Sequence, residues 1–385
     1  MSTPNQETHI MRSIDGRRLA AALGALALAL AAAACGGSNN GGGGSSSTSS
    51  GGGGGGKKIA LLLPESKTTR YEAQDRPLFT ARLKQDCPNC QLIYSNADQD
   101  ASKQQQQAEA AITKGANVLV LDPVDAASAA AIVARAKQSN IPVISYDRLI
   151  TNADVDYYIS FDNEQVGKLQ GQALLKALGS PQGKSIVMIN GAPTDNNAKL
   201  FKQGAHSVLD PSGVKIAKEY DTPDWSPDKA QTEMEQAITA VGKNKIQGVY
   251  AANDGTGGGA IAAMKGAGLN PSKIPVTGQD AELAAIQRIL TGEQYMTVYK
   301  AIRPEAGAAA DLAVALANKK QPRAGLVNDK VNNGQKDVPS VLLKPVAVTK
   351  DNVVNTVVKD QFLKPSEICS GEFASACKAA GISGA

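Results

Sequence analysis

Short, uninterrupted apolar runs recur along this chain at intervals of roughly 25 to 35 residues, each followed by a stretch of helical period. From Lys58 they read KIALLL (58–63), QLIYSN (91–96), NVLVLDP (117–123) and IPVISYD (141–147), with segments such as DASKQQQQAEAAITKG between them. A strand exposed on one face alternates polar and apolar residues. A strand apolar throughout is buried on both faces, which calls for helices above and below a parallel sheet. A second series repeats the arrangement: KSIVMING (184–191), GVKIAKEYD (213–221), IQGVYAAND (246–254), IPVTGQD (274–280) and YMTVYK (295–300). The expectation is an α/β protein of two similar units in tandem, with the chain crossing between them near YYISFDN, TVYK and LLKPVAV.

The amino-terminal residues stand apart from this pattern. Arg12, Arg17 and Arg18 precede an uncharged apolar run from Leu19 to Ala34 that leads into Cys35. A basic region, a short apolar region and small residues before a cleavage point read as a secretory signal over residues 1–34, and the run is short for a stable transmembrane helix. Ala32-Ala33-Ala34-Cys35 resembles the small-small-Cys part of the lipobox of bacterial lipoproteins, with Ala32 where leucine is usual. Lipidation of Cys35 is the expectation, and an ordinary cleaved signal the alternative. After Cys35, the rest of 35–56 is glycine and serine with two asparagines and one threonine and no apolar side chain to bury, a flexible tether spanning roughly 25 Å. A body on such a tether stays beside a membrane and still tumbles.

Forty basic residues against 36 acidic leave a mild +4, and no Lys/Arg stripe interleaved with aromatics appears, so nucleic acid is not an expected partner. The two histidines are His9, in the signal, and His206, expected on a helix face without a role in binding. Apart from Cys35 the cysteines are Cys87, Cys90, Cys369 and Cys377. CPNC is half of a zinc site only with a second CxxC or a nearby His, which this chain lacks, so no metal is expected; a thioredoxin-like redox motif is disfavoured because Cys87 follows a helix-like stretch instead of opening one. In an exported protein the four read as two local disulfides, Cys87 with Cys90 and Cys369 with Cys377.

Polar residues close several of the apolar runs: Asp147-Arg148, Asn253-Asp254, Gln279-Asp280 and Lys300, with Asp195-Asn196-Asn197 after the 184–191 run. Ligands of open parallel sheets bind beyond the carboxyl ends of the strands. Two such sets facing each other make a cleft for a small, polar, neutral molecule. A sugar fits, because its hydroxyls both donate and accept and its C–H faces pack on aromatic rings. Acids balance bases here, which disfavours a phosphate. Trp225, the single tryptophan, lies in the polar stretch DTPDWSPDKA, as a packing anchor or a platform for the ligand.

TTRYEAQDR, VLVLDP, VISYDRLI, DYYISFDNEQVG, PTDNNAKLF, DWSPDKA, AANDGTGGGA, VTGQDAEL, TVYK and NNGQKDVPSVLLKPVAVTKDN, in this order, resemble the D-xylose-binding proteins of bacterial ABC importers, within the ribose and galactose type of periplasmic binding proteins. The resemblance covers nearly all of residues 57–365. It implies two Rossmann-like lobes with parallel sheets joined by a three-segment hinge: residues 57–161 plus 302–342, residues 162–301 plus 343–368, and a tail over 369–385. It implies ligand contacts by Arg70, Tyr71, Asp147, Arg148, Asn197, Trp225, Asn253, Asp280 and Lys300, with Asp195 and Asp254 as further candidates. Tyr71 stands where the family usually has a tryptophan, which keeps a flat face but loses area.

Plainer readings stand beside these. Asp254 is equally a helix N-cap, Lys300 a hinge-side salt bridge, and Asp147 with Arg148 a structural pair. GTGGGA (255–260) also fits a dinucleotide fingerprint, with Asp280 twenty residues beyond Ala260, although close helix packing explains its glycines equally well. The expected protein is a monomeric, lipid-anchored receptor outside the cytoplasmic membrane that captures a monosaccharide, D-xylose first, by lobe closure and delivers it to an ABC permease. It needs no cofactor and performs no chemistry. A sugar sensor facing a signalling receptor is the rival reading, and ribose, arabinose and glucose are the rival ligands.

Overall fold

The computed structural model describes residues 56–382. The signal, Cys35 with its expected lipidation, and nearly all of the tether lie outside the described residues.

Five strands of the amino-terminal half, β1 (Lys58–Leu63), β2 (Gln91–Asn96), β3 (Val118–Leu121), β4 (Val143–Tyr146) and β5 (Tyr157–Phe161), pair in parallel in the order β5-β4-β3-β1-β2. Helices α1 (Arg76–Asp86), α2 (Ala101–Thr113) and α3 (Ala130–Gln138) connect the first four. Ile59 to Leu63 are at most 1% exposed, so this strand is covered on both faces, as its unbroken apolar run requires. One face of the sheet packs on Phe79 and Leu83 of α1, the other on Ala108, Ile132 and Val133 of α2 and α3.

The second set is β6 (Ser185–Asn190), β7 (Lys215–Asp221) and β8 (Gly248–Ala251), parallel in the order β7-β6-β8. It is served by α4 (Asn163–Leu178), α5 (Asn196–Leu209), α6 (Pro227–Val241) and α7 (Asp254–Gly266). After α8 (Leu283–Thr291) comes β9 (Met296–Tyr299), and then α9 (Ile302–Ala317) returns to the first sheet and packs with α1. There β10 (Asp329–Asn332) and β11 (Asp337–Leu343) extend it, β11 parallel to β5 and β10 antiparallel to β11. Finally β12 (Val346–Thr349) pairs antiparallel with β9.

One expected strand is altered. Within 274–280 only Val276 makes a bridge, to Val249, although backbone hydrogen bonds run to Val249 on one side and to Tyr295 and Val298 on the other. Thr277 is the cause. Its hydroxyl accepts from Ala251 N at 2.8 Å and donates to Ala251 O at 2.9 Å, so a side chain holds the rungs that a backbone ladder would use. The segment thereby links β8 to β9 while turning Gln279 and Asp280 out beyond the strand ends.

The glycines of 255–260 lie inside α7, not in a turn before it. A Cβ on Gly259 would sit 2.2 Å from Pro227 O of α6. Close packing of α6 on α7 therefore accounts for them, and the phosphate-cradling turn of a dinucleotide fingerprint does not form. Gly167 of α4 and Gly204 of α5 make a similar contact, each within about 2 Å of the other helix's carbonyl oxygen once a Cβ is added (Phe201 O at 1.9 Å, Glu164 O at 2.0 Å). Gly204→Ala is therefore expected to destabilise the fold by about 2–3 kcal/mol through forced separation of α4 and α5. Urea unfolding checks this, and an unmoved midpoint would show that the helices part freely.

Disulfides join Cys87 to Cys90 just after α1 and Cys369 to Cys377 near the carboxyl end, the latter buried against α8 and β12.

Candidate functional site

Three residues with positive φ shape the site: Asp147 (53°), Trp225 (52°) and Asp280 (93°). A side-chain-bearing residue pays about 1–2 kcal/mol for the left-handed region, so three in one place mark a region whose surroundings over-determine it. At the end of β4 the reversal is fixed by Ser145, buried in an otherwise apolar run. Its hydroxyl donates to Arg148 O at 2.7 Å and accepts from Ile150 N at 2.9 Å. This turn aims Asp147 and Arg148 out of the sheet.

Asp147 is the hub. Oδ1 accepts from Arg70 Nη1 at 3.2 Å and Oδ2 from Tyr71 OH at 2.9 Å, while Lys300 Nζ lies 3.9 Å from Oδ1. Burial opposes its ionisation, but Arg70, Lys300 and Arg148 outweigh burial and hold the carboxyl below the usual carboxylate range. Arg148 meets acids on three sides: Asp195 Oδ2 at 3.0 Å, Glu65 Oε1 at 3.5 Å and Asp122 Oδ1 at 3.7 Å. The aromatic face of Tyr71 is flanked by both guanidiniums, 5.2 and 5.5 Å from its centre.

From the second set of strands, Asp195 caps α5 through Asn197 N (2.8 Å) and accepts from Trp225 Nε1 at 3.1 Å. The Trp225 ring lies over Gly191, where a Cβ would come within 2.0 Å of it, and meets Phe201 edge-on at 6.3 Å. Asp280 pairs with Lys300 Nζ at 3.1 Å and stands 3.9 Å from Arg70 Nη1.

Arg70, Tyr71, Asp147, Arg148, Asp195, Trp225, Asp280 and Lys300 line one small cavity of about 20 Å³, together with Thr68, Phe201 and Gln279. It lies between the ends of the two sets of strands. Three expected residues are not in its wall. Asn197 bridges behind it, donating to Asp147 O at 2.9 Å and accepting from Asn163 Nδ2 at 3.0 Å. Asn253, not Asp254, is the N-cap of α7, its Oδ1 accepting from Thr256 N at 2.8 Å. Asp254 is neither cap nor wall. Gln294 Nε2 (2.7 Å), Thr297 OH (2.8 Å) and Glu282 N (3.0 Å) take up its carboxyl, and burial, against the pull of Arg288, pushes its pKa up to about 7.

Phe201 and Gln279 had signals in the sequence: Phe201 stands one helical turn after Asn197, and Gln279 precedes Asp280. The second ring of acids had less. Glu65, Asp75, Asp122 and Glu305 are all buried around the cations. Burial holds Asp122 and Glu305 well above the carboxylate range, with Arg148 and Arg70 respectively pulling the other way. A raised pKa at these two acids lessens the excess of buried negative charge that the cluster has to hold. Among the described residues no group of His, Cys, Asp and Glu is arranged to hold a metal.

The cavity therefore offers carboxyl acceptors, guanidinium and ammonium donors and aromatic faces, with three acids matched by three bases. Residues 59–321 match the model of the periplasmic binding protein domain family. The D-xylose-binding periplasmic protein of Escherichia coli K12 is 43% identical over 314 residues, 80% of this chain and 92% of that protein. The multiple sugar-binding periplasmic receptor of Rhizobium radiobacter is 37% identical over 290 residues, 70% of this chain and 81% of the receptor. Among solved structures, a carbohydrate transporter solute-binding protein from Chloroflexus aurantiacus in complex with D-glucose superposes with a TM-score of 0.73 at 32% identity, covering 81% of this chain and 98% of that one.

Proposed function

The chain belongs to the periplasmic binding protein family, and from that premise we propose that it captures a monosaccharide, D-xylose, outside the cytoplasmic membrane and delivers it to an ABC permease. The observation that carries this reading is the wall of the cavity, where acids and bases from two sets of strands converge with an aromatic ring on each side, Tyr71 and Trp225. Asp147 and Asp280 accept from sugar hydroxyls, Arg70, Arg148 and Lys300 donate to them, and the rings cover C–H faces. Asn253, with its Oδ1 committed to α7, has only its amide N–H groups to offer, and Asn197 acts by holding Asp147.

The lobes of this proposal are residues 57–161 plus 302–342 and residues 162–301 plus 343–368, hinged at three crossings, with 369–385 as a tail. Arg148 with Asp195 and Arg70 with Asp280 already meet across the two sets of strands. A ligand gripped from both sides favours closure, and the closed form is what the permease recognises. Lys300, paired with Asp280, is a hydrogen-bond donor in this scheme and no nucleophile, so the sugar leaves unchanged. The protein works as a monomer, anchored by lipid on Cys35. A second reading, a sugar sensor of broad specificity, is favoured by the likeness to the Rhizobium radiobacter receptor.

Calorimetric titration of the full chain with xylose, ribose, arabinose and glucose tests the assignment. Saturable binding of xylose, with a matching rise in melting temperature, is expected. No response to xylose beside a clear one to another sugar would reassign the ligand.

A further inference from the structure

Arg70 has five N–H donors, and four are committed within the protein. Nε donates to Asp75 Oδ2 at 2.9 Å, and Nη2 to both Asp75 Oδ1 and Glu305 Oε2 at 2.7 Å. Nη1 gives one N–H to Asp147 at 3.2 Å. One Nη1 hydrogen is left, on the nitrogen nearest Asp280 across the cavity, 3.9 Å away. The guanidinium is planar, so fixing Nε and Nη2 fixes the direction of that last hydrogen.

Glu305 is not in the cavity wall. It is fully buried in the first turn of α9, the helix that begins directly after Lys300 and Ala301, and it reaches Arg70 from 235 residues away in the chain. Its apolar neighbours on the helix, Ile302, Ala306 and Ala309, belong to the core of the first sheet. A carboxyl on such a stripe lowers stability unless its partner compensates it. Asp75, the other brace, is itself held by the Tyr146 hydroxyl.

We propose that Glu305 is a positioning residue for sugar binding: with Asp75 it locks the Arg70 guanidinium so that its single uncommitted N–H faces the ligand. The inference rests on the sugar-binding reading above. It also gives the chain leaving the second crossing a direct hold on a ligand-binding side chain of the first sheet.

The full chain and its Glu305→Gln, Glu305→Ala, Arg70→Lys and Arg70→Lys/Glu305→Ala variants are titrated with the sugar that wild type binds best. Glutamine keeps an acceptor for Nη2, so Glu305→Gln should bind within about threefold of wild type, and Glu305→Ala about tenfold or more weakly. On the Arg70→Lys background Glu305→Ala should add no further loss, because the residue acts through Arg70. Should the alanine variant fail to fold, Glu305→Met takes its place with the same expectation. Equal losses for glutamine and alanine, no loss for alanine, or a full added loss on the lysine background would each overturn the proposal. A wild type that binds no sugar overturns the sugar-binding reading and this inference with it.

Discussion

Asp147→Ala is expected to weaken sugar binding about a thousandfold, or roughly 4 kcal/mol, the worth of two charge-assisted hydrogen bonds. The loss goes beyond a missing contact. The Asp147 carboxylate is what Arg70, Tyr71 and Lys300 converge on, and without it the two cations are left facing Asp280 in disturbed positions. The backbone complicates the alanine variant, because φ at this residue is 53° and alanine tolerates that region poorly. Asp147→Asn separates the causes: asparagine accepts the left-handed backbone and keeps the shape, while removing the charge. Its melting temperature should stay near that of wild type, with binding still weakened about a hundredfold by calorimetry. Affinity within threefold of wild type in the asparagine variant would remove the Asp147 charge from the binding site.

The strands were legible because the two-sided burial of a parallel sheet writes itself into continuous apolar runs. KIALLL and VLVL coincide with β1 and β3, which are buried nearly throughout, whereas the short polar edge strand β10 (DKVN) carries no such run. Thr277 shows the limit from the other side. IPVTGQD reads as a strand, but a single hydroxyl facing its neighbour's backbone replaces the ladder. Strand-end logic reached Asp147, Arg148, Asp280 and Lys300, since position along a run is a local property. It could not choose between Asn253 and Asp254, because the Asp254 carboxyl is taken up by Gln294 and Thr297, forty residues or more downstream. Glu305 had a faint local mark as the one acid on an apolar helical stripe, yet its partner, Arg70, is set by tertiary contact alone.

Arg148→Met should cost about 3–5 kcal/mol of stability at neutral pH as well as binding, because it removes one cation from among three buried acids. Methionine fills much of the same volume, so the deficit comes from charge. Its pH dependence has a definite sign. In the wild-type fold burial already raises the pKa of Asp122 and Asp195, with Arg148 acting against the rise. Without Arg148 both rise further, and the folded chain then binds their protons more tightly than the unfolded chain does. Stability of the variant is therefore greatest below the unfolded carboxyl range, near pH 4, and is lost as pH climbs toward the raised folded values. The gap between wild type and Arg148→Met should be smaller at pH 5 than at pH 8, measured by urea unfolding at both. A gap of the same size at the two pH values would mean that Arg148 supports the fold by packing on Tyr71, and that the acids around it do not need its charge.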